Sequence, residues 1–583
     1  MKYVIKWFIP YWKKHKLRLF VIVFLGLCVS FLSALSPYYI KKIINGFEKN
    51  LSRDYLVRNV WIIFSISIIH YILNIVATVE RAYMNYRIEY EVRKKLFSHI
   101  LSLDEYIFTK YSQGDILARF VDDISEKIAW FSCSGVFRFI QAVFTIIAVL
   151  FFMFYTNFKL AVVSILPLPL LLYITTHFKS IISNKFDLLQ KSISEIYDFL
   201  EISLSGIRVI KANSKEKNFV KKFDELNLIQ MEKAIDAEKK QVLMRYLFFA
   251  TGTLSVMMVY FFGGINAISR GDITIGDIVS FQVYTFMLIF PVSDVSQFFV
   301  SGQRAKTSIK RIDEIFNFKS SLILPDKPLK LSNSIEKIFL KDLSLKINEN
   351  YVIKKINLEI ERGKKIAVVG KIGSSKTILL KTISRLIEFS NGIFTVNSID
   401  VRKIDLNEYY SKIVYISQEP YIISDTILNN ITLYKSYEKS EISKVIEICQ
   451  LEKDISAMPK GLDTIIGNKG MSISGGQRQR ISLARSLLKR PEIIIMDDST
   501  NQMDLNTEKN FWDLFFKEFK DTTLIYVTHR IRSIEKSDFV VVMDRGEIVE
   551  MGRHVDLIDR NELYVKIYHQ FRMEEDNVNN EGN

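Results

Sequence analysis

The segment IAVVGKIGSSKTILLKTISRLI, residues 366–387, decides how the second half of this sequence is interpreted. A short apolar run at 366–369 leads into GKIGSSKT, from Gly370 to Thr377, and a helical pattern follows. A strand, a glycine-containing loop and a helix in this order form the context of a phosphate-binding loop. In such a loop, backbone N–H groups and a helix N-terminus surround the phosphates. We therefore predict that nucleotide binds here.

Two side chains of this loop have predicted roles in nucleotide binding. Lys376 places a positive charge at the outer phosphates, and Thr377 offers a hydroxyl to Mg²⁺. Ser375 stands where the pattern has glycine, and a residue with a side chain in the left-handed conformation costs roughly 1–2 kcal/mol. We therefore expect weaker or altered nucleotide binding. The other candidate nucleotide contacts are Gly370, Lys371, Ile372, Gly373, Ser374 and Ser375.

Further polar motifs occur in a fixed order around this loop. The apolar run in IIIMDDST, 493–500, predicts a buried strand that ends in Asp497, which we expect to hold Mg²⁺ through water. Gln418 lies in YISQEP, the run ISGGQRQR begins at Ile473, and His529 follows another apolar strand in YVTHR. Short β-branched runs alternate here with helical segments, which predicts an α/β domain.

The first 300 residues have a different character. Hydrophobic residues make up 49% of the chain, and they are concentrated in this part. A helix that crosses a bilayer needs roughly 20 mainly apolar residues. We predict an all-α six-helix transmembrane domain, with spans at about 19–40, 59–79, 136–156, 160–177, 246–268 and 278–300.

Basic residues predict the orientation of these spans. The chain carries a net charge of +15, and Lys and Arg cluster in residues 1–18 and in the long connectors 80–135 and 178–245. The positive-inside rule places these parts and everything after residue 300 in the cytosol. The charge favours attraction to an anionic inner leaflet over nucleic-acid binding. Residues 3–15 mix Trp, Tyr and Lys, which is typical of a helix lying along the membrane.

The ordered motifs resemble the ATP-binding cassette (ABC) domain, and the membrane half resembles the six-helix exporters of that superfamily. The cassette resemblance rests on Walker A at 370–377, Q-loop Gln418, signature ISGGQ at 473–477, Walker B at 493–497, D-loop Asp504 and switch His529. The exporter resemblance rests on YSQGDILARFVDDI (111–124), EISLSGIRVIKAN (201–213) and GDITIGDIVSF (271–281).

The resemblance implies a half-transporter that dimerises and uses ATP and Mg²⁺. Each ATP would lie between one subunit's Walker motifs and the other subunit's signature. The implied signature contacts are Ser474, Gly475, Gly476 and Gln477. The implied catalytic residues are Asp498, His529 and Gln418, and the implied metal contacts are Thr377, Gln418 and Asp497.

Four departures from the family pattern lie on one side of the nucleotide, and Ser375 is the first of them. The family has glutamate where this chain has Asp498, and a misplacement of about 1 Å can lower a rate roughly 10²-fold. Asn501-Gln502 replaces the usual Ser-Ala pair. The position of the adenine-stacking aromatic falls near Ile347, and Tyr351 is a poor substitute. The signature, by contrast, differs only by isoleucine in place of its first leucine.

This asymmetry predicts a heterodimer in which the chain supplies a degenerate ATP site and lends an intact signature to its partner. A homodimer with slow hydrolysis, or an ATP-gated channel or regulatory subunit, are the alternatives. Family members export drugs, lipids or peptides. The expected location is the cytoplasmic membrane. The predicted domains are a transmembrane domain at 1–316, a linker at 317–334, the nucleotide-binding domain at 335–572 and a disordered acidic tail at 573–583.

Overall fold

The chain divides into two units in a computed structural model. The first unit contains Met1–Ser102 and Tyr111–Phe318, and the second contains Leu103–Lys110 and Lys319–Asn583. The short segment Leu103–Lys110 therefore belongs with the C-terminal half of the chain. The structure describes residues 1–269, 273–325, 327–347, 350–467, 471–560 and 562–581.

Long helices build the first unit. A helix rises 1.5 Å per residue, so Arg53–Leu101 extends over roughly 74 Å, more than twice the roughly 30 Å of bilayer hydrocarbon. The charged residues that follow the span at 59–79 therefore belong to the same helix as far as Leu101. The helical stretches are Lys2–Lys14, Lys16–Glu48, Arg53–Leu101, Gln113–Thr156, Phe158–Ile165, Leu168–Ser205, Ile207–Ala212, Glu216–Ser269 and Ile275–Phe316.

Within the described residues, 5 helices are long and apolar enough to cross a membrane. Each contains one predicted span, and they are Lys16–Glu48, Arg53–Leu101, Gln113–Thr156, Glu216–Ile268 and Ile275–Phe316. The span predicted at 160–177 differs, because one helix ends at Ile165 and the next begins at Leu168. Pro167 between them has no N–H to continue the helical ladder. The side chains at 168, 171, 172 and 174–177 lie outside the described part.

The second unit contains two β-sheets. Their strands are β1 Lys337–Ile347, β2 Asn350–Glu361, β3 Lys365–Gly370, β4 Asn391–Val396, β5 Ile399–Asp400, β6 Ile413–Ile416, β7 Ile493–Asp497, β8 Thr523–Val527, β9 Phe539–Asp544 and β10 Glu547–Gly552. The order of the antiparallel sheet is β2-β1-β4-β5, and that of the larger sheet is β10-β9-β3-β8-β7-β6. Strands β9, β3, β8, β7 and β6 are parallel, and β3, β7 and β8 are buried throughout, as expected for central parallel strands.

Helices cover the larger sheet and continue to the end of the chain. The α-helices of this unit are Ile107–Lys110, Lys376–Ile383, Leu406–Lys412, Ile427–Thr432, Lys439–Ile448, Glu452–Ser456, Gly475–Leu487, Leu505–Glu518, Ile531–Glu535, His554–Ile558 and Leu563–Glu581. The last helix runs through most of the tail for which the sequence predicted disorder. No Gly or Pro occurs between Leu563 and Glu581 to stop it. Residues 582–583 lie outside the described part.

Candidate nucleotide-binding site

The carboxyl ends of four parallel strands bring the predicted nucleotide-binding residues to one edge of the larger sheet. The phosphate loop follows β3, and Asp497 is the last residue of β7. Gln418 comes two residues after β6, and His529 comes two residues after β8. Ligands of open parallel α/β sheets bind at this edge. The strand order, which places these loops side by side, creates the candidate site.

The phosphate loop has the backbone shape that the sequence predicted. Ser375 caps the helix Lys376–Ile383 with φ +72° and ψ +23°, in the left-handed region. Gly373 also has a positive φ, +81°, and a Cβ there would meet nothing within 4 Å. The Lys376 ammonium donates to the carbonyls of Gly370 at 2.8 Å and Lys371 at 2.9 Å. Burial lowers the pKa of Lys376, while Asp497 and Asp498 raise it. This open loop at a helix N-terminus fits a nucleotide's phosphates.

Changing Ser375 to glycine is expected to stabilise the folded chain by roughly 1 kcal/mol and to leave its ATP affinity within about twofold. Ser375 has the left-handed conformation in the folded loop itself, so the substitution removes strain from the free and the bound loop alike. Thermal unfolding and titration of the purified full-length protein with a fluorescent ATP analogue measure the two effects. Ser398→Gly is the matched comparison for stability, since Ser398 also has a positive φ, +65°, in the turn between β4 and β5. A large gain in ATP affinity without a gain in stability would contradict this account of the Ser375 strain.

Three hydroxyl and carboxylate groups meet beside the phosphate loop. The Thr377 hydroxyl donates to Asp497 Oδ1 at 3.2 Å, and the Tyr415 hydroxyl donates to Asp497 Oδ2 at 2.9 Å. Burial raises the pKa of the Tyr415 phenol, and the Asp497 charge raises it further. Asp497 is nearly buried, and a hard cation such as Mg²⁺ prefers oxygen ligands. The Thr377 and Asp497 oxygens therefore fit the predicted metal site.

Changing Tyr415 to phenylalanine is expected to raise the Mg²⁺ concentration for half-maximal ATP binding roughly tenfold. Removing a hydrogen bond that orients a metal-binding carboxylate typically costs 10- to 100-fold in metal affinity. ATP binding measured without Mg²⁺ should not change. Tyr410→Phe is the control, because its hydroxyl donates to the Arg385 carbonyl at 2.8 Å instead. An unchanged Mg²⁺ dependence in Tyr415→Phe would show that the phenol does not position Asp497.

Asp498 sits in a hydrogen-bonded and strained environment. It has a positive φ of +47°, and its Oδ2 accepts from Asn501 Nδ2 at 3.0 Å and from Gln418 Nε2 at 3.5 Å. Burial raises the pKa of the Asp498 carboxyl, and Asp497 adds to the shift, while His529 opposes it. The structure thus brings Gln418 and His529, two of the predicted catalytic residues, to the carboxylate of the third, Asp498. The His529 ring also packs edge-on against another aromatic, Phe571, at 4.9 Å.

The signature residues form the start of the helix Gly475–Leu487. Ser474 is the N-cap, its hydroxyl accepts from Gln477 N at 3.2 Å, and Gln477 Oε1 accepts from Ser474 N at 2.9 Å. Asp454 holds the Gln477 side chain at 2.7 Å. A Cβ on Gly476 would come within 2.8 Å of the Gln502 carbonyl, so this position requires glycine. Among the described residues, no hydrogen bond joins Ser474, Gly475 or Gly476 to the phosphate loop.

The two replaced D-loop residues contact the chain's own signature helix. Gln479 Nε2 donates to Asn501 Oδ1 at 2.7 Å, and Gln502 N donates to Gln479 Oε1 at 2.9 Å. Asn501 therefore bridges the Asp498 carboxylate and the signature helix. Asp504 caps the next helix by accepting from Thr507 N at 3.0 Å.

Sequence reasoning missed Tyr415 and Gln479 as residues of the site. A phenol inside the otherwise apolar run IVYI was the only local signal for Tyr415. Its importance depends on β6 lying beside β7, which the motif does not reveal. At the predicted adenine position, Ile347 ends β1, and the ammonium of Lys346 lies over the Tyr351 ring at 4.7 Å.

Both halves of the chain are similar to known protein families. Residues 19–292 match the family described as ABC transporter transmembrane region, and residues 353–501 match the family described as ABC transporter. The chain is 29% identical over 484 residues to a "Probable multidrug resistance ABC transporter ATP-binding/permease protein YheI" of Bacillus subtilis (strain 168), covering 82% of each chain.

Two further similarities extend over most of the chain. An "ATP-dependent lipid A-core flippase" of Syntrophus aciditrophicus (strain SB) is 28% identical over 501 residues, which are 86% of this chain and 83% of the flippase. The fold matches the "Structure of a bacterial Atm1-family ABC exporter with ATP bound" with a TM-score of 0.79 and 17% identity, over 96% of this chain and 99% of that chain.

Proposed function

Because this chain belongs to the ABC transporters and joins an exporter-type transmembrane region to an ABC ATPase domain, we propose that it is one half of a heterodimeric ATP-driven exporter. Its own Walker side would form a slow or non-hydrolysing ATP site. Its signature helix would complete the hydrolytic site of a partner half-transporter. The observation that carries this proposal is the contrast between the environments of Asp498 and Ser474.

The environment of Asp498 supports a weak catalytic role. A general base must lie within hydrogen-bond reach of the proton it removes. Aspartate is one methylene shorter than the family's glutamate, and both Asn501 and Gln418 contact the same oxygen, Oδ2. Asn501 also bonds to Gln479, so the bridge opposes movement of the carboxylate toward a water molecule. The substituted D-loop therefore reinforces the effect of the shorter side chain.

The environment of Ser474 supports a fully functional signature. Ser474 and Gln477 form a reciprocal capping box, and Asp454 fixes Gln477 and also accepts from Arg480 at 2.7 Å. Gly475 and Gly476 start a helix of 13 residues, with Gln502 packed against both of them. The backbone N–H groups at a helix N-terminus stabilise a phosphate. Each of these features suits contact with ATP held by a partner.

In the proposed cycle, ATP binding brings the two cassettes together and hydrolysis separates them. Lys376 and the loop backbone would bind the phosphates, and Thr377 and Asp497 would hold Mg²⁺, whose charge would offset that of the phosphates. ATP shifts the transporter between two states because it binds the closed state more tightly. Segments such as Leu103–Lys110 transmit that closure to the spans, which then open to the outside.

The proposed cargo is a drug, a lipid or a peptide carried across the cytoplasmic membrane, with the N-terminus and cassette in the cytosol. The similar Bacillus subtilis protein is named for multidrug resistance, and the similar Syntrophus protein is named a lipid A-core flippase. Both names favour an amphipathic cargo. We therefore propose export of a drug or lipid, with peptides as the third class.

The test compares the chain alone with the chain co-expressed with a half-transporter that has glutamate after its Walker B aspartate. The proposal expects a stable complex, ATPase turnover only in the complex, and ATP-dependent uptake of labelled drug or lipid into inside-out vesicles. Full activity of the chain as a homodimer would contradict the heterodimer. ATP-dependent passage only down a gradient would instead indicate a gated channel.

A further inference from the structure

A cleft of about 790 Å³ lies on the first unit between its N-terminal helix and two long helices. Its walls come from Lys2–Lys14, from the last four turns of Arg53–Leu101 and from the end of Ile275–Phe316. A second cleft of about 610 Å³ adjoins it, and the two share Lys14 and Lys95. The volume is in the range of small-molecule sites, which span roughly 300–1,000 Å³.

The charge of the cleft is unbalanced toward positive. Lys14 and Arg87 both pair with the single carboxylate of Glu91, at 3.3 and 3.5 Å. Lys94 and Lys95, in contrast, have no carboxylate within ion-pair distance in the part of the chain that the structure describes. The wall therefore presents two ammonium groups that are not neutralised and that suit an anion.

Aromatic rings form the apolar part of the same cleft. The Lys95 ammonium lies 4.9 Å from the centre of the Phe316 ring, and the Lys94 ammonium lies 6.0 Å from that of Tyr90. Tyr11 adds a third ring. A ligand that combines a charged group with a short apolar portion fits such walls better than a bare inorganic anion does.

The cleft is preformed and lies next to the start of the first span. The N-terminal helix buries Val4 and Phe8, and Trp7 Nε1 donates to Asp313 Oδ1 at 2.9 Å, which fastens it to the end of Ile275–Phe316. His15, directly before the span Lys16–Glu48, contacts Glu91 at 2.9 Å. Lys94 and Lys95 follow Glu91 by three and four residues, about 5 Å along the same helix, so they lie about one helical turn from His15. The proposed orientation puts the inner leaflet on this side of the spans.

We propose that this cleft binds the phosphate headgroup of an anionic phospholipid from the inner leaflet. Basic pockets beside spans on the cytosolic face recognise such headgroups, and lysines supply point charges for phosphate. Lys94 and Lys95 would contact the phosphate, while Tyr11, Tyr90 and Phe316 would cover the glycerol. This lipid is a ligand bound at the flank of the transporter, whichever substrate is exported.

The test measures binding of phosphatidylglycerol and phosphatidylcholine to the purified full-length transporter by native mass spectrometry. The double variant Lys94→Gln/Lys95→Gln is expected to weaken phosphatidylglycerol binding roughly 10- to 30-fold, given the attraction of each lysine to an anionic lipid. Phosphatidylcholine binding should not change. Lys94→Arg/Lys95→Arg should retain affinity because it keeps both charges.

Lys221→Gln/Lys222→Gln is the matched control, since it removes two adjacent exposed lysines from the helix Glu216–Ser269. It is expected to bind phosphatidylglycerol as the unmodified chain does. An equal loss in this control and in the cleft variant would overturn the proposal, because the effect would then reflect overall charge. Glycerol phosphate that displaces the lipid at equal concentration would also overturn it, since the ligand would then be a soluble phosphate ester.

Discussion

Replacing Ser474 with aspartate is expected to abolish most ATPase turnover of the assembled transporter while leaving its melting temperature nearly unchanged. Aspartate caps helices as well as serine does, so the contact to Gln477 N at 3.2 Å should survive. In the proposed heterodimer, however, its carboxylate would stand where the ATP of the partner half-transporter presents its γ-phosphate. Removing a donor that stabilises transition-state charge lowers a rate roughly 10²- to 10³-fold. Because the substitution also adds a negative charge, we expect the ATPase rate to fall by at least this factor.

The informative control for this experiment is Lys376→Ala in the same pair. Lys376 serves only the ATP of this chain, which the proposal assigns to the weak site. We expect ATPase turnover to fall no more than about threefold. This is well below the tenfold loss that about 1.4 kcal/mol of activation free energy produces. ATPase rates and melting curves of the two purified variants provide the measurement. Inactivation of equal size in both would mean that both sites hydrolyse ATP, and the degenerate-site proposal would fail.

Replacing Asp104 with alanine is expected to uncouple ATP hydrolysis from transport. Asp104 lies in the segment Leu103–Lys110, which belongs to the second unit. Its Oδ2 accepts from Ser320 Oγ at 3.0 Å, from Ser321 N at 2.6 Å and from Leu322 N at 3.3 Å. Hydrogen bonds to charged groups contribute about 1.5–3 kcal/mol each, so their loss should release the segment from the linker. We expect transport to fall at least tenfold while basal ATPase activity stays within about twofold.

Vesicle uptake and ATPase activity, measured on one preparation, test this prediction. Glu105→Ala is the matched neighbour, because its carboxylate makes a solvent-exposed pair with Lys381 at 3.5 Å. Exposed pairs of this kind contribute little, so this variant should transport normally. If Asp104→Ala lowered ATPase activity and uptake in parallel, the residue would stabilise the cassette and would not transmit its motion.

Much of the fold follows from local patterns in the sequence. Runs of apolar residues located five of the spans. The predicted span at 160–177 contains a break in the helix at Pro167, and it stays a prediction because part of it lies outside the described side chains. The last helix extends to Glu581 into the tail for which the sequence predicted disorder, since acidic composition alone does not stop a helix that has no Gly or Pro.

The sequence by itself determined the helical and the α/β half of the chain, the phosphate loop, and the motifs that carry the predicted site residues. These features depend on the length of apolar runs, on local composition and on the residues of single loops. Only the tertiary structure decided that Tyr415 meets Asp497 across 82 residues and that Asp104 meets Ser320 across 216 residues. The physical reason is that such contacts depend on strand order and on where a loop returns, and no local periodicity encodes either of them.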